Sequence, residues 1–419
     1  NRFNKDIGKY KDGALDIPSI SGKDLTITID SKLQEYGEIL MKNKKGAIVA
    51  IEPNSGEILS LVSSPSYNPN LLVGRERSKN YFELYKDSIY RPLIDKGLLS
   101  MFPPGSPFKI LVGLTALQEE IITEKSTIYC KGYYIYGKEK RKINCHCGGG
   151  YRNIYNAISL SCNSYFADIY RKTINSQNNT KENFDNWSNH IKSFGLGNYL
   201  NNDLPIGKKG VVPDSEYYDR WYPDFKWGAT TTISNSIGQG EILTTPIQLA
   251  NMTAAVANEG YYYIPHIIKK IDGDTIDVRF KIPVKTSIDS THFKTINKAL
   301  YRVFKSGTGK LLNVPGIEIC GKSGTSENFT KINGIKTQLS DHSIFIAYAP
   351  KENPTIAISV LVENAGYGSI WAGRIASLMI EKYINDNISL KRMEKIVLNK
   401  NLEKEYLKPY LSKAFNINE

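Results

Sequence analysis

The sequence predicts an α/β fold of the α+β type, in which a central antiparallel sheet carries helices on both faces. Three observations lead there. Apolar strand pairs stand near both ends of the chain, GAIVAIE (46–52) with EILSLVS (57–63), and SIFIAYA (343–349) with TIAISVLV (355–362). Each pair is closed by a short Pro- and Asn-containing turn, Pro53-Asn54-Ser55-Gly56 and Pro350-Lys351-Glu352-Asn353-Pro354, which is the pattern of a hairpin. The long stretch between the pairs is helical and looping and shows no internal repeat, so both pairs are expected in one sheet with helices packed on it.

The elements follow in order. Residues 1–22 are polar and aperiodic, and are expected to be the remnant of a removed N-terminal region. LTITID (25–30) alternates as a strand, and Asp30 can cap the helix at 32–43. A helical insertion is expected over about 70–245. Within it, Phe102-Pro103-Pro104-Gly105 breaks the chain before an apolar helix, FKILVGLTALQEE. TPIQLANMTAAVANEG (245–260) reads as a helix with Thr245 as N-cap, Pro246 in the first turn and Gly260 at its end. GIEIC (316–320) alternates as a strand, and 370–385 is an apolar helix. From about 389 the chain is charged and Lys-rich, a helical surface tail. The expected division is therefore 1–22, a main domain over 23–388, and a tail over 389–419.

Composition narrows the function classes. The chain has 419 residues, 41% hydrophobic and 23% charged, which suffices for an ordinary globular core. The net charge of +12 favours anionic partners, such as nucleic acid, acidic lipid or a carboxylate substrate. Lys and Arg are spread along the whole chain, with no strip interleaved with aromatics, so a nucleic-acid partner is not expected. No run of about 18 apolar residues is present, so this chain is not expected to span a membrane. It begins with Asn and carries no signal peptide, and reads as a fragment whose own lack of an anchor says nothing of location.

Three short motifs can carry chemistry. Ser106-Pro107-Phe108-Lys109 opens the helix after Gly105. Residues i and i+3 share a helix face, so the Lys109 amine can lie beside the Ser106 hydroxyl and act as its base. The bland alternative is a serine cap with a solvated lysine. Ser161-Cys162-Asn163 sets polar groups beside an apolar segment, or else is an ordinary helix cap. Lys322-Ser323-Gly324-Thr325 follows the 316–320 strand. A glycine there lets a substrate backbone approach the strand edge, while the hydroxyls and the lysine can hold a carboxylate. Its alternative is a surface turn. Gly316 to Ser323 also matches the phosphate-loop pattern letter for letter, but the residues between its glycines alternate as a strand and no apolar helix follows, which argues against nucleotide binding. The five histidines are scattered, and Ser106 lacks the glycine two residues on that a nucleophile elbow requires.

Taken in order, Ser-x-x-Lys, Ser-x-Asn and Lys-Ser-Gly resemble the signature set of serine penicillin-recognising enzymes. Ser161 lies 55 residues after Ser106 and Lys322 a further 161 residues on, a long second gap similar to that of penicillin-binding proteins rather than small β-lactamases. Residues 44–70 resemble the family's opening hairpin, 233–250 its Gly-Gln-Gly and Thr-Pro-x-Gln-x-Ala stretch, and 342–350 the strand after Lys-Ser-Gly. The resemblance covers about 22–385 and is greatest to the class B, elongation-type branch, penicillin-binding protein 2. Ser323 departs from the threonine many members carry, but keeps the hydroxyl.

The resemblance implies the penicillin-recognising transpeptidase fold and a D,D-transpeptidase. Ser106 would attack the penultimate D-Ala carbonyl of a peptidoglycan stem, and Lys109 would accept its proton. Ser161 would relay a proton to the leaving amine, and Asn163 would orient substrate and lysine. Lys322 would supply positive potential, with Ser323, Gly324 and Thr325 binding the terminal carboxylate. The N–H groups of Ser106 and Thr325 would form the oxyanion hole. An acceptor amine would resolve the acyl-enzyme, and β-lactams would acylate Ser106. The resemblance also implies a glycan-polymerase partner bound through the missing N-terminal region. It places the enzyme on the periplasmic or extracytoplasmic face of the inner membrane, anchored by an N-terminal helix absent here. A β-lactam sensor and a class D-like β-lactamase remain open as alternatives.

No cofactor is needed for acyl transfer, but four of the five cysteines cluster: Cys130, Cys145, Cys147 and Cys162. Zinc takes four N/S ligands, so these residues, with His146 as an alternative ligand, are candidates for a structural zinc site. Gly148-Gly149-Gly150 would let the backbone fold around a metal. Some elongation-type members carry zinc in the corresponding insertion, with one ligand inside the Ser-x-Asn triplet. Disulfides or buried free thiols are the other readings.

Overall fold

The computed structural model describes residues 5, 8–176, 179–332 and 334–415. Five strands, β1 (Gly46–Ile51), β2 (Ile58–Ser64), β3 (Cys320–Ser326), β4 (His342–Ala349) and β5 (Ile356–Val362), form one fully antiparallel sheet in the order β3-β4-β5-β1-β2. The two hairpins foreseen from the sequence thus meet where β5 pairs with β1, with Ile358 opposite Ala50.

The helices that cover the sheet and frame the site are α1 (Ser31–Met41), α2 (Lys109–Gln118), α3 (Ile154–Ser159), α4 (Asn163–Ile174), α5 (Pro246–Ala257), α6 (Ser290–Ser306) and α7 (Ala372–Asn385). β1 and β5 are buried at every position, because helices cover both faces of the sheet. Ile48 and Ala50 pack on the side of Leu33, Leu40 and Met379 from α1 and α7. Val49 and Ile51 point the other way, against Ile247 and Ala250 of α5 and Leu98. The helix α5 starts as the sequence indicates: Thr245 accepts from the Gln248 N–H and Gln248 returns the bond, a capping box with Pro246 in the first turn.

One boundary differs. The alternation at 316–320 suggested a strand ending before Lys322. Instead Gly316 takes φ +79 and the Ile317 N–H bonds back to the Val314 carbonyl, a turn that defeats the alternation. The strand begins only at Cys320, so Lys322, Ser323 and Thr325 lie within β3. Since β3 is the outermost strand of its sheet, one of its edges stays open to a substrate.

Two small ribbons fill the insertion after α2: Ile128–Cys130 pairs with Gly150–Arg152, and Tyr133–Tyr136 with Arg141–Asn144. At the other end of the chain, Tyr406 of helix Glu403–Phe415 is buried and its hydroxyl accepts from the Lys45 N–H at 2.8 Å. Among the described residues, no helix is long and apolar enough to cross a membrane.

Candidate active site

The site forms where the start of α2, the loop between α3 and α4, and the open edge of β3 converge. Gly105 makes the first of these possible. It adopts φ 62 and ψ −146, and donates its N–H to the Gly238 carbonyl at 2.8 Å. A Cβ there would lie 2.7 Å from the Thr325 carbonyl oxygen, so only glycine lets this turn press against β3. Ser106–Phe108 is a single 3-10 turn that runs straight into α2. Ser106 is therefore half-buried at a helix start, while Lys109, three residues on, is fully buried.

The second segment is held in an unusual backbone state. Ser161 adopts φ +57, and Cys162 then caps α4 by accepting the Tyr165 N–H. This geometry aims three acceptors at the Lys109 ammonium: the Ser161 carbonyl at 2.9 Å, the Ser161 Oγ at 3.2 Å, and the Asn163 Oδ1. The Asn163 amide is itself fixed by donating to the Asn144 carbonyl at 2.7 Å. Ser161 Oγ donates to Ser106 Oγ at 2.9 Å. The serine and the lysine are thus connected through the Ser161 hydroxyl, a continuous Ser106–Ser161–Lys109 chain.

The third segment brings charge and hydroxyls. Lys322 is buried, and its Nζ donates to the Ser323 carbonyl at 3.0 Å. Its pKa lies well below the usual lysine range, first because of burial and then because of the Lys109 ammonium nearby. Ser323 Oγ lies 3.0 Å from the Thr308 Oγ1. The Thr325 carbonyl points off the open edge and accepts from Gln239 Nε2 at 3.1 Å. On an antiparallel strand a residue's N–H and C=O share a side, so the Thr325 N–H also faces the cleft. Ser106, Ser161, Asn163, Ser323 and Thr325 all line one cleft of about 390 Å³.

Burial sets the chemistry of Lys109. Its pKa falls from the ordinary 10.5 to about 8, because removal from water penalises the ammonium, while negative charge on the nearby sulfurs, Cys145 first and then Cys162 and Cys147, partly restores it. An amine with such a pKa is partly neutral near pH 7 and able to take a proton.

Directly behind Asn163 the sulfurs of Cys130, Cys145, Cys147 and Cys162 lie within 4.8 Å of one another, all buried. The Cys145–Cys162 and Cys147–Cys130 separations are 3.7 and 3.6 Å. A tetrahedral ion with zinc–sulfur bonds of about 2.3 Å has ligand–ligand edges of about 3.8 Å, so the set fits zinc. Backbone N–H groups of Asn163, Tyr165 and Gly132 point at Cys145, Cys162 and Cys130 at 3.1, 3.4 and 3.4 Å, and favour thiolates. The bond between Cys145 and Cys162 pulls the Cys145 thiol below its ordinary range and pushes Cys162 up. His146 does not join this group. Its side chain is exposed and lines the active-site cleft, because residues flanking it at i and i+2 share the opposite side.

Sequence reasoning passed over two cleft residues. Gln239 stands in the Gly-Gln-Gly stretch, whose glycine flanks were a visible signal. Thr308 sits in Gly307-Thr308-Gly309, a glycine-flanked hydroxyl just past the end of α6.

A half-buried serine hydroxyl, a buried lysine and a second serine hydroxyl bridging them, set against an open strand edge, are an arrangement able to support serine acyl transfer. The sequence matches the penicillin binding protein transpeptidase domain over residues 46–381, and the chain belongs to that family of serine acyltransferases. Among curated proteins it is similar to the peptidoglycan D,D-transpeptidase MrdA of Acinetobacter baumannii, 33% identical over 359 residues, which is 83% of this chain and 52% of that protein. The MrdA of Escherichia coli K12 is 29% identical over 388 residues, 89% of this chain and 59% of that protein. The chain therefore spans a little over half the length of these curated relatives. Among solved structures, Pseudomonas aeruginosa penicillin-binding protein 2 matches with a TM-score of 0.76 at 33% identity, over 87% of this chain and 79% of that one. Helicobacter pylori penicillin-binding protein 2, in a complex with MreC, matches with a TM-score of 0.73 at 27% identity, over 86% of this chain and 64% of that one.

Proposed function

We propose that this chain is the transpeptidase module of an elongation-type cell-wall enzyme, which joins peptidoglycan stems through an acyl-enzyme on Ser106. The observation that carries the proposal is the hydrogen-bonded chain Ser106–Ser161–Lys109 beside the open edge of β3. Neutral Lys109 draws the Ser106 proton through the Ser161 hydroxyl as Ser106 Oγ bonds to the penultimate D-Ala carbonyl. Oxyanion donors are the Thr325 N–H and the Ser106 N–H, the latter in a first helical turn and so without an intrahelical acceptor; each such donor is typically worth ~3–4 kcal/mol. The C–N bond to the terminal D-Ala then breaks, and the same chain returns the proton to the leaving amine. An acceptor amine from a second stem reverses these steps and leaves an amide cross-link. Ser323, Gly324 and Thr325 receive the terminal carboxylate of the donor, with Lys322 buried behind them. β-Lactams present the same carbonyl and carboxylate and so acylate Ser106.

The four cysteines support a structural zinc ion, held by Cys130, Cys145, Cys147 and Cys162. It would lock the insertion to the Ser161–Asn163 segment, and takes no part in acyl transfer. The substrate places the enzyme's work on the extracytoplasmic face of the inner membrane. A scaffold of the MreC kind, seen with the Helicobacter pylori relative, and a glycan polymerase are the partners this reading suggests.

The test follows the fate of a fluorescent penicillin adduct and of a D-Ala-D-Ala donor, with and without an acceptor amine. A long-lived adduct and an amine-dependent amide product are expected. Rapid hydrolysis of the adduct would make the protein a β-lactamase, and an adduct with no amide product would make it a sensor.

A further inference from the structure

A second cleft, of about 440 Å³, opens beside the catalytic one and has the size of a small-ligand site. The 3-10 turn Ile233–Ile237 lines both: Ile233 and Ser234 face the second cleft, while Ile237 and then Gln239 line the catalytic one. The Ser234 carbonyl accepts the Gln239 N–H at 3.1 Å, and Gln239 Nε2 donates to the Thr325 carbonyl at 3.1 Å, so the turn is fixed to β3. A ribbon of the insertion also runs between the clefts. At one end Asn144 accepts from the Asn163 amide, and at the other the facing residues Tyr136 and Arg141 line the second cleft. Gly137, at φ 71, lets the tip of this ribbon close on Thr230, where a Cβ would stand 3.2 Å from the Thr230 methyl.

The lining has the chemistry of a sugar site. A pyranose ring presents a face of C–H groups and a rim of hydroxyls, and so pairs with aromatic faces and with hydroxyl side chains. Tyr136 and Tyr222 bring the rings, and Thr230, Thr231 and Ser234 the hydroxyls. Tyr222 is 37% exposed, yet its ring stacks at 6.3 Å on that of buried Tyr218, whose own hydroxyl donates to Glu241 at 2.6 Å. The exposed ring is therefore held in place before any ligand arrives. Arg141 is paired with Glu139 at 2.6 Å, which leaves the cleft with little net charge and favours an uncharged sugar over a phosphate. The spacing of the two clefts also fits. From Ile237 to Ile233 a 3-10 turn rises ~8 Å, and from Asn144 to Arg141 the ribbon spans ~10 Å. Three stem residues precede the penultimate D-Ala of a pentapeptide, and extended they reach ~10 Å.

We propose that this second cleft is a saccharide subsite, which holds the N-acetylated amino sugar that bears the donor stem while the end of that stem lies at Ser106. The proposal rests on the transpeptidase reading above and deepens it, since it makes stems carried on a glycan, rather than free peptides, the preferred donors. Recognition of the sugar falls to Tyr136, Tyr222 and the hydroxyls of Thr230, Thr231 and Ser234, all outside the three motifs.

The experiment measures how well two donors protect Ser106 of the whole chain from a fluorescent penicillin: the pentapeptide stem alone, and the same stem on its N-acetylglucosaminyl-N-acetylmuramyl disaccharide. An aromatic contact and one or two neutral hydrogen bonds are together worth a factor of about ten, so the sugar-bearing stem should reach half-protection at about a tenfold lower concentration. Tyr222→Ala should bring the two donors within about twofold of each other, and Tyr222→Phe, which keeps the ring, should retain most of the difference. Thr231→Val, at a separate exposed position, should remove part of it, and thermal melting shows whether each variant is folded. Chitotetraose, a sugar without a stem, should weaken protection by the sugar-bearing donor and leave that by the free stem unchanged. Equal protection by the two donors in the unchanged protein, a difference that survives Tyr222→Ala, or a parallel loss with both donors would overturn the proposal and leave acyl transfer on Ser106 standing. Failure of the penicillin to label the unchanged protein would count against the transpeptidase reading itself and would take this proposal with it.

Discussion

Replacing Lys109 by Ala should slow acylation of Ser106 by about 10²–10⁴, the range for a positioned general base. The structure explains why so much depends on one amine. Lys109 is fully buried, and its three acceptors are the carbonyl and hydroxyl of Ser161 and the Asn163 amide oxygen. Burial lowers its pKa from 10.5 to about 8. Each pKa unit is a factor of ten in the neutral form below the midpoint, so at pH 7 about a tenth of the molecules hold a neutral amine, about 300-fold more than an exposed lysine would give. The sign follows from the neutral amine being the active form. In the unchanged protein, acylation should rise about tenfold per pH unit below pH 8 and level off above it. In Lys109→Ala that dependence should vanish. Stopped-flow acylation with a fluorescent penicillin, at concentrations that separate initial binding from the acylation step, measures both. A loss below tenfold, a loss confined to initial binding, or a flat profile between pH 6 and 9 in the unchanged protein would refute the reasoning. Thermal melting of the variant separates catalysis from damage to the core, since the substitution also opens a buried cavity.

Three further outcomes follow from the same geometry. Ser161→Ala removes the bridge between Ser106 and Lys109 and should slow the acylation step by about 10² or more, with initial binding little changed; an unaffected rate would show that Lys109 reaches Ser106 without it. Gly105→Ala places a methyl group 2.7 Å from the Thr325 carbonyl oxygen at φ 62, and should cost about 1–3 kcal/mol of stability and slow acylation, read by melting and by the same kinetics. Protein purified without chelator should carry close to one zinc per chain by elemental analysis, and stripping it should lower the melting temperature and slow acylation together, because Cys145 accepts the Asn163 N–H; no zinc together with four free thiols would remove the metal from the account.

The parts of the site that could be read from the sequence are those encoded within a few residues. Ser106 and Lys109 share a helix face by spacing alone, and the capping box at Thr245 and Gln248 sits within one turn. The two hairpins were legible because their apolar runs and turns are contiguous, although their union in one sheet needed the fold argument. What stayed hidden depends on contacts between distant segments. The interposed Ser161 hydroxyl follows from the φ +57 of that residue and from how α3 meets α2, and no local pattern reports it. Thr308 reaches Ser323 because α6 ends against α3, and its sequence signal, a threonine between two glycines, is common in loops. The alternation at 316–320 misled because a turn at Gly316 outweighs four alternating residues. At the cysteines, residue types suggested a metal while the spacing left disulfides and free thiols open. The ribbons around 128–152 bring three of the sulfurs to Cys162 at the start of α4, and the two-residue period between Cys145 and Cys147 turns His146 outward into the cleft.

The most direct test of the account is the intact mass of the protein after incubation with benzylpenicillin, followed by peptide mapping of the adduct. The account predicts a mass gain of one penicillin per chain, located on Ser106, and its complete loss in Ser106→Ala. An adduct that persists in Ser106→Ala, or that maps to another residue, would contradict it.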